Sequence, residues 1–187
     1  NQIIKESEVP VVLDADGINS VLPNIDVIKD SKAPVVLTPH PGEMARLIGD
    51  SVASVCASRI ETAKAFAKEY SCIMVLKGAN TVVTDGDSVF VNITGNPGMA
   101  MGGTGDMLTG MIASFIAQGM NAYAAARCAV YIHGKCGDIT AREISTRGMT
   151  IEDMLDLNNG MIFIEKAFSD FFGFDFALRM QRAKKRF

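Results

Sequence analysis

Apolar residues gather in short runs at 9–13, 34–37 and 73–76, each bounded by turn residues and separated by amphipathic segments. Runs this continuous lack the alternation of a one-sided strand and are too short for helices, so they predict strands covered on both faces. Alternation of such strands with helices gives a parallel sheet, and the class is α/β. Val55, Ile60, Ala63, Phe66 and Ala67 form an approximate helical stripe, predicting one helix over 55–70. Residues 81–84 and 88–92 flank Asp85-Gly86-Asp87, a hairpin signal that adds an antiparallel pair to the parallel core. Two further helices are predicted over about 105–118 and 122–142, the second carrying Ala124, Ala125, Ala126 and Ala129 for close packing. A short helix follows at 149–157, with Thr150 as its cap and Asp153 three residues on.

In a parallel α/β sheet a ligand lies beyond the carboxyl ends of the strands, so the residues after each run carry the chemistry. The first run ends in Leu13-Asp-Ala-Asp-Gly-Ile-Asn19, the second in Leu37-Thr-Pro-His-Pro-Gly-Glu43 and the third in Leu76-Lys-Gly-Ala-Asn-Thr81. Asp14 and Asp16 share a face if the strand continues through them. Two roles are open for them: turn formation through Asx hydrogen bonds, or ligand and water-bridged Mg²⁺ contact. Asp16 and Asn19 are the candidate substrate contacts of that loop. His40 lies between two prolines, as either a ligand donor or a loop histidine satisfied by backbone. Lys77 precedes Gly78, where backbone can approach a ligand, and is either a phosphate contact or a strand-end lysine that snorkels to solvent.

The fourth loop is the most informative. Asn96-Pro-Gly-Met-Ala-Met-Gly-Gly-Thr-Gly-Asp106 is a glycine-rich turn that opens a helix, and its free N–H groups at the positive end of the dipole suit an anion. Asp106 would repel a phosphate there unless it takes a proton from a hydroxyl or holds Mg²⁺. The competing reading is an ordinary helix entry, with an acid placed to suit the dipole.

Composition narrows this only modestly. The chain has 187 residues, 48% hydrophobic and 21% charged, with a net charge of -3, a balance that offers no general basic field for nucleic acid. No apolar run approaches a membrane span, so a cytoplasmic location is expected. Cys56, Cys72, Cys128 and Cys136 match no zinc or redox spacing and are expected to be reduced core thiols. With only His40 and His133, a histidine-based metal site is not expected. Asn1 stands where an initiator Met would, which suggests a processed, trimmed or partial chain whose first element is a strand.

Taken in order, VLDADGIN, LTPHPGEMARL, VLKGANTVV and NPGMAMGGTGDMLTG resemble the ADP/ATP-dependent NAD(P)H-hydrate dehydratases, a carbohydrate-kinase-like family that repairs hydrated NADH and NADPH. The resemblance covers residues 9 to 135 and implies a ribokinase-like fold. It implies ADP or ATP as phosphate donor, Mg²⁺, and an NAD(P)H hydrate as substrate. By the same resemblance Asp106 is the base that activates the hydrate hydroxyl, and His40 is a second hydrate contact. Lys77, Gly78, Ala79, Asn80, Thr81 and Gly105 look like the adenine-nucleotide contacts. The N–H groups of Gly102, Gly103, Thr104 and Gly105 look like the anion hole for the transferred phosphate.

The family domain is usually longer at its N-terminal side, so residues 1–158 are expected to be the C-terminal portion of a dehydratase domain, with part of the hydrate pocket absent and a sheet edge exposed. Met101 stands where a small or polar residue would be unsurprising. Residues 159–187 hold seven of the ten phenylalanines and end Arg182-Ala-Lys-Lys-Arg-Phe187. The expectation is an amphipathic terminal helix against the core or a partner, with a membrane surface as the lesser alternative. A homo-oligomer or a complementing chain is the expected assembly. Two other functions stay open: a small-molecule kinase of the same superfamily, and a nucleotide-binding half-domain inactive alone.

Overall fold

The runs at 35–37 and 73–76 are buried at every position, as two-sided coverage requires. The computed structural model describes residues 1–155, so the expectations for the phenylalanine-rich tail lie outside the described residues. Contacts divide the chain into two compact units, one of residues 1–93 and 105–130, the other of residues 94–104 and 131 onward.

The first unit holds a five-stranded sheet in sequential order, β1 (Val11–Leu13), β2 (Val35–Leu37), β3 (Ile73–Leu76), β4 (Val82–Thr84) and β5 (Val89–Val91). β1, β2 and β3 run parallel, and β4 joins β3 antiparallel before pairing with β5. The antiparallel portion therefore begins at β3 itself, because residues 77–81 make only a tight return. The hairpin turn is built by side chains. Asp85 accepts from the Asp87 and Ser88 N–H groups, and Thr84 Oγ1 accepts from Gly86 N–H. Gly86 has φ +96, and a Cβ there would meet the Lys68 backbone at 2.8 Å, so only glycine fits.

Alternate strand residues divide between the faces. Leu37, Met74, Leu76 and Val82 join one apolar cluster with Met44 of α3 (Pro41–Ile48), Val55 of α4 (Val52–Ala57) and Ala63, Phe66 and Ala67 of α5 (Arg59–Tyr70). Val36, Val75 and Val83 are also fully buried, on the opposite face. Each such aliphatic contributes about 1.5–3 kcal/mol relative to an exposed one.

Three elements differ from the sequence reading. The predicted helix 55–70 is two helices, α4 and α5, because Ser58 takes φ -138 and ψ 49 between them. The five-residue step from Val55 to Ile60 already breaks the helical spacing, and Ile60 is left 40% exposed. The chain opens with a short helix, α1 (Gln2–Glu6), rather than a strand. After β1 the chain turns at once into α2 (Asp16–Val21), with Ala15 at φ 45. The strand thus ends before Asp14 and Asp16 could share a face.

The remaining helices are α6 (Thr104–Ala117) and α7 (Ala122–Glu143), close to their predicted bounds, and α8 (Ile151–Leu155), which is shorter than predicted. Thr150 caps α8 as expected. Its Oγ1 accepts from Asp153 N–H, while Asp153 Oδ2 accepts from Thr150 N–H at 2.7 Å. Within the second unit, residues 94–99 lie directly on the later part of α7. A side chain at Gly134 would overlap Thr94, and one at Gly137 would overlap Met99.

Cys72, Cys128 and Cys136 are buried free thiols, and burial pushes the first two up to about 12. Cys56 is exposed, contrary to the core expectation, since it lies on the outer face of α4. No helix among the described residues is long and apolar enough to cross a membrane.

Candidate functional site

The first three loops leave one edge of the sheet and are stitched together by backbone. Thr38 N–H donates to Leu13 O at 3.0 Å, and Lys77 N–H donates to Pro39 O at 2.8 Å. Asp14, Thr38 and Lys77 therefore stand side by side just beyond β1, β2 and β3.

Asp14 is the centre of this group. Its Oδ1 lies 2.7 Å from Lys77 Nζ and its Oδ2 accepts from Thr109 Oγ1 on α6 at 2.9 Å. The side chains of Asp14 and Lys77 are only 10% and 20% exposed. Burial by itself raises the carboxyl's pKa, but the hydrogen bond and charge of Lys77, with the Thr38 and Thr109 hydroxyls, outweigh it and hold Asp14 below the usual value. The lysine is thus not a snorkelling strand end, since it has an anionic partner within the fold. Gly105 sits against the pair, for a Cβ there would lie 3.4 Å from Lys77 Nζ and 3.7 Å from Asp14 Oδ2.

His40 caps α3. Its Nδ1 accepts from the N–H groups of Gly42 and Glu43, while His40 N–H donates to Glu43 Oε2 at 2.7 Å. A Cβ at Gly42 would meet the imidazole at 2.8 Å, so the glycine makes room for the ring, and Pro41 fills the first helical position, where no N–H is needed. With Nδ1 accepting, the neutral ring carries its proton on Nε2. That nitrogen is 3.6 Å from Glu43 Oε1, too far for a hydrogen bond, and the side chain is 53% exposed. The reading as a loop histidine satisfied by backbone is met at one nitrogen, while the other lies on an exposed side chain.

Asp106 lies in the first turn of α6, next to Gly105. Its side chain is exposed and makes no hydrogen bond or ion pair with another described residue. Asp16 is likewise exposed, and Asn19 Oδ1 accepts from Arg46 Nη2 at 3.3 Å.

The 77–81 loop uses its own side chains to hold its shape. Thr81 Oγ1 donates to Gly78 O, Asn80 Nδ2 donates to Asn92 O, and Asn80 takes φ +57. What remains for a ligand is mainly backbone. Arg59 closes the loop from beneath by donating to the carbonyls of Leu76, Lys77 and Ala79. Sequence reasoning passed over Arg59, Thr109 and Asp138, because none stands in a strand-end loop.

In the second unit, Asp138 of α7 accepts from Gly95 N–H and Asn96 Nδ2, and Asn96 Oδ1 in turn accepts from Gly98 N–H. Gly103 has φ +90, and the Thr104 hydroxyl is directed at the Met99 and Met101 carbonyls. Met101 is half-buried. His133 of α7 is buried with Nε2 unpartnered, and burial drives its pKa down to about 4 despite a hydrogen bond with the Thr104 backbone.

Among the described residues there is no cluster of three or more His, Cys, Asp or Glu able to hold a metal. Asp14 is committed to Lys77, so these residues offer no all-protein cage. They fit only a Mg²⁺ carried in on phosphates, which needs one or two carboxylates and keeps its waters.

Residues 2–158 match the family model described as NAD(P)H-hydrate dehydratase. The chain is 44% identical over 156 residues to the bifunctional NAD(P)H-hydrate repair enzyme Nnr of Moorella thermoacetica, covering 83% of this chain and 29% of that protein. It superposes with a TM-score of 0.75 on the ADP/ATP-dependent NAD(P)H-hydrate dehydratase of Bacillus subtilis co-crystallised with ATP/Mg²⁺, at 32% identity, covering 90% of this chain and 57% of that one. A ribokinase-like superfamily protein of Enterococcus faecalis matches with a TM-score of 0.65 at 28% identity, covering 83% of this chain and 52% of that one. The fold is ribokinase-like. The chain spans less than a third of the Moorella protein and little more than half of the Bacillus one.

Proposed function

The chain belongs to the NAD(P)H-hydrate dehydratase family of carbohydrate-kinase-like proteins, and we propose that it contributes the nucleotide-dependent repair of hydrated NADH and NADPH. The observation that carries the proposal is Asp106, an exposed carboxylate without a partner among the described residues, in the first turn of a helix that a glycine-rich segment precedes. A carboxylate so placed suits removal of a proton from a hydroxyl as that hydroxyl attacks a phosphate.

The chemistry follows from the leaving group. Hydroxide departs poorly from the hydrated nicotinamide ring. Transfer of the terminal phosphoryl group from ADP or ATP forms an O–P bond at the hydrate oxygen, breaks the phosphoanhydride and releases AMP or ADP. Asp106 takes the hydroxyl proton. The ring C–O bond then breaks with inorganic phosphate as leaving group, and loss of a proton from the neighbouring carbon restores the dihydronicotinamide.

His40, held by its cap, presents Nε2–H as a donor to the hydrate, with Asp16 and Asn19 as further contacts on the first loop. Lys77 and Gly105, adjacent across Asp14, and the backbone of Gly78 to Thr81 receive the nucleotide. The N–H groups of Gly102, Gly103, Thr104 and Gly105 stabilise charge on the transferred group, where preorganised donors are most effective. Mg²⁺ bound to the phosphates would offset their charge. A cytoplasmic location fits this substrate class, and a complementing chain or a homo-oligomer would supply any pocket wall the chain does not carry.

The test is incubation of the purified chain with NADH hydrate, Mg²⁺ and ADP or ATP, following recovery of the near-ultraviolet absorbance of NADH, beside Asp106→Ala. Nucleotide-dependent recovery lost in the variant supports the proposal. A stable phosphoester without recovery would make it a kinase, and nucleotide binding without either product would make it a binding portion only.

A further inference from the structure

Arg59, the first residue of α5, is a half-buried cation beside the 77–81 loop that no part of the proposed reaction uses. Its Nη2 donates to Leu76 O at 2.9 Å and to Lys77 O at 3.1 Å, and its Nη1 donates to Ala79 O. Nε is buried and unpartnered, and no carboxylate among the described residues pairs with the guanidinium. Desolvation lowers its pKa, with only Cys56 acting the other way. A cation left without an anion, spent wholly on carbonyls, is an unusual expense for an ordinary surface turn.

The peptide plane shows what the arrangement achieves. A trans peptide points its N–H opposite its C=O, so each carbonyl drawn toward Arg59 sends the next N–H away from it. Leu76 O is drawn in, and Lys77 N–H accordingly points the other way, donating to Pro39 O at 2.8 Å. By the same geometry the carbonyls of Lys77 and Ala79 turn the N–H groups of Gly78 and Asn80 away from the guanidinium. Neither of those N–H groups donates to another described residue. Both residues hold positive φ, +140 at Gly78 and +57 at Asn80, which turns the backbone sharply at each. Arg59 packs on Gly78 closely enough that a Cβ there would lie 3.0 Å from Nη2.

We propose that Arg59 is a positioning residue for the adenine nucleotide. By gathering three carbonyls beneath the 77–81 loop it presents the Gly78 and Asn80 N–H groups as paired donors to phosphate or ribose oxygens. This rests on the nucleotide reading above, but its structural half is testable without any ligand.

The experiment takes the full chain with Arg59→Ala, Arg59→Lys and, on an exposed position of the same helix, Lys64→Ala. Two quantities are read: hydrogen exchange at the Lys77 amide without ligand, and ADP affinity by calorimetry. Arg59→Ala should speed Lys77 exchange and weaken ADP, each on the order of tenfold. Arg59→Lys should recover part of both, and Lys64→Ala should change neither. Where Arg59→Ala fails to fold, Arg59→Lys carries the reading with a smaller change of the same sign. Unchanged Lys77 exchange overturns the anchoring role. Faster exchange with unchanged ADP affinity overturns the positioning role. If the unsubstituted chain binds no ADP, the nucleotide reading itself falls, and exchange alone then assigns Arg59 to loop structure.

Discussion

Removing Lys77 should destabilise the chain more than removing its partner Asp14, and the asymmetry can be worked from the geometry. The ammonium sits 2.7 Å from Oδ1 of a carboxylate whose side chain is 10% exposed. Breaking a fully buried pair costs about 3–5 kcal/mol, because the surviving charge is stranded, whereas exposed pairs are worth under about 1 kcal/mol. In Lys77→Met the stranded charge is Asp14, still hydrogen-bonded by Thr109 at 2.9 Å. A loss of about 2–3 kcal/mol is expected, which lowers Tm by roughly 5–10 °C for a chain of this size. In Asp14→Ala the stranded charge is the lysine, 20% exposed on a flexible stem, and it can reach water. That loss should be about 1 kcal/mol. The double variant should cost about 1–2 kcal/mol less than the two losses added, since it strands nothing.

Urea denaturation of the four chains measures this cycle. Asp14's lowered pKa adds a check of sign. The unfolded carboxyl takes up its proton first as pH falls, so the pair's contribution is whole above the ordinary carboxylate range and is lost as pH drops through the depressed native value. Lys77→Met should therefore show a shallower acid limb. An Asp14→Ala loss equal to or above that of Lys77→Met, or strict additivity, would refute the account of Lys77 as a partner before it is a ligand contact.

Asp106→Asn should cost 10²–10⁴-fold in hydrate repair, about the range for a lost general base, with Tm changed by no more than about 2 °C, as comparison of turnover and melting would show. His40→Ala should lose both the cap, about 1 kcal/mol, and repair activity, while His40→Asn restores the cap in urea melts but not the activity, since it lacks the outward Nε2–H. His133, held at about 4 against 6.5 unfolded, should make stability fall as pH drops from 6.5 toward 4, because the unfolded chain binds the proton first. The drop is about 3 kcal/mol at most. A pH series of urea melts should lose that slope in His133→Leu. Gly86→Ala should destabilise by about 2 kcal/mol or more in the same melts, since φ +96 and the Lys68 backbone both exclude a Cβ.

The α/β class, the three parallel strands, of which β2 and β3 are fully buried and β1 only partly, and the hairpin were legible because each rests on local pattern: unbroken apolar runs, and Asp85-Gly86-Asp87 with its Asx hydrogen bonds. The division of 55–70 at Ser58 was legible in principle, since the Val55 to Ile60 step does not fit a helix. The opening helix was not, because five residues with one buried side chain, Ile4, carry too little periodicity. At the site, His40, Lys77 and Asp106 were legible from their places in strand-end loops. Arg59, Thr109 and Asp138 were not, for each acts across 17 to 95 residues of sequence on groups that only the fold brings near.

That distance explains how the loops divide their labour. Most polar side chains in them are consumed in holding the loops: Nδ1 of His40 on its cap, Asn80 on Asn92, Thr81 on Gly78, Asp14 on Lys77. A loop whose side chains satisfy its own backbone has fixed geometry but few free groups. The free ones are therefore informative. Among the groups singled out, the carboxylates of Asp106 and Asp16 and the outward N–H groups of Gly78 and Asn80 make no hydrogen bond to another described residue, and Nε2 of His40 has only Glu43 Oε1, at 3.6 Å, so that acceptors and donors both remain. This is the set that phosphoryl transfer from a nucleotide to a hydroxyl requires, a base for the proton and donors for the oxygens. If the Asp106 variant proved inert in repair yet Arg59→Ala left ADP affinity intact, the donors would have to be sought in the glycine-rich segment alone.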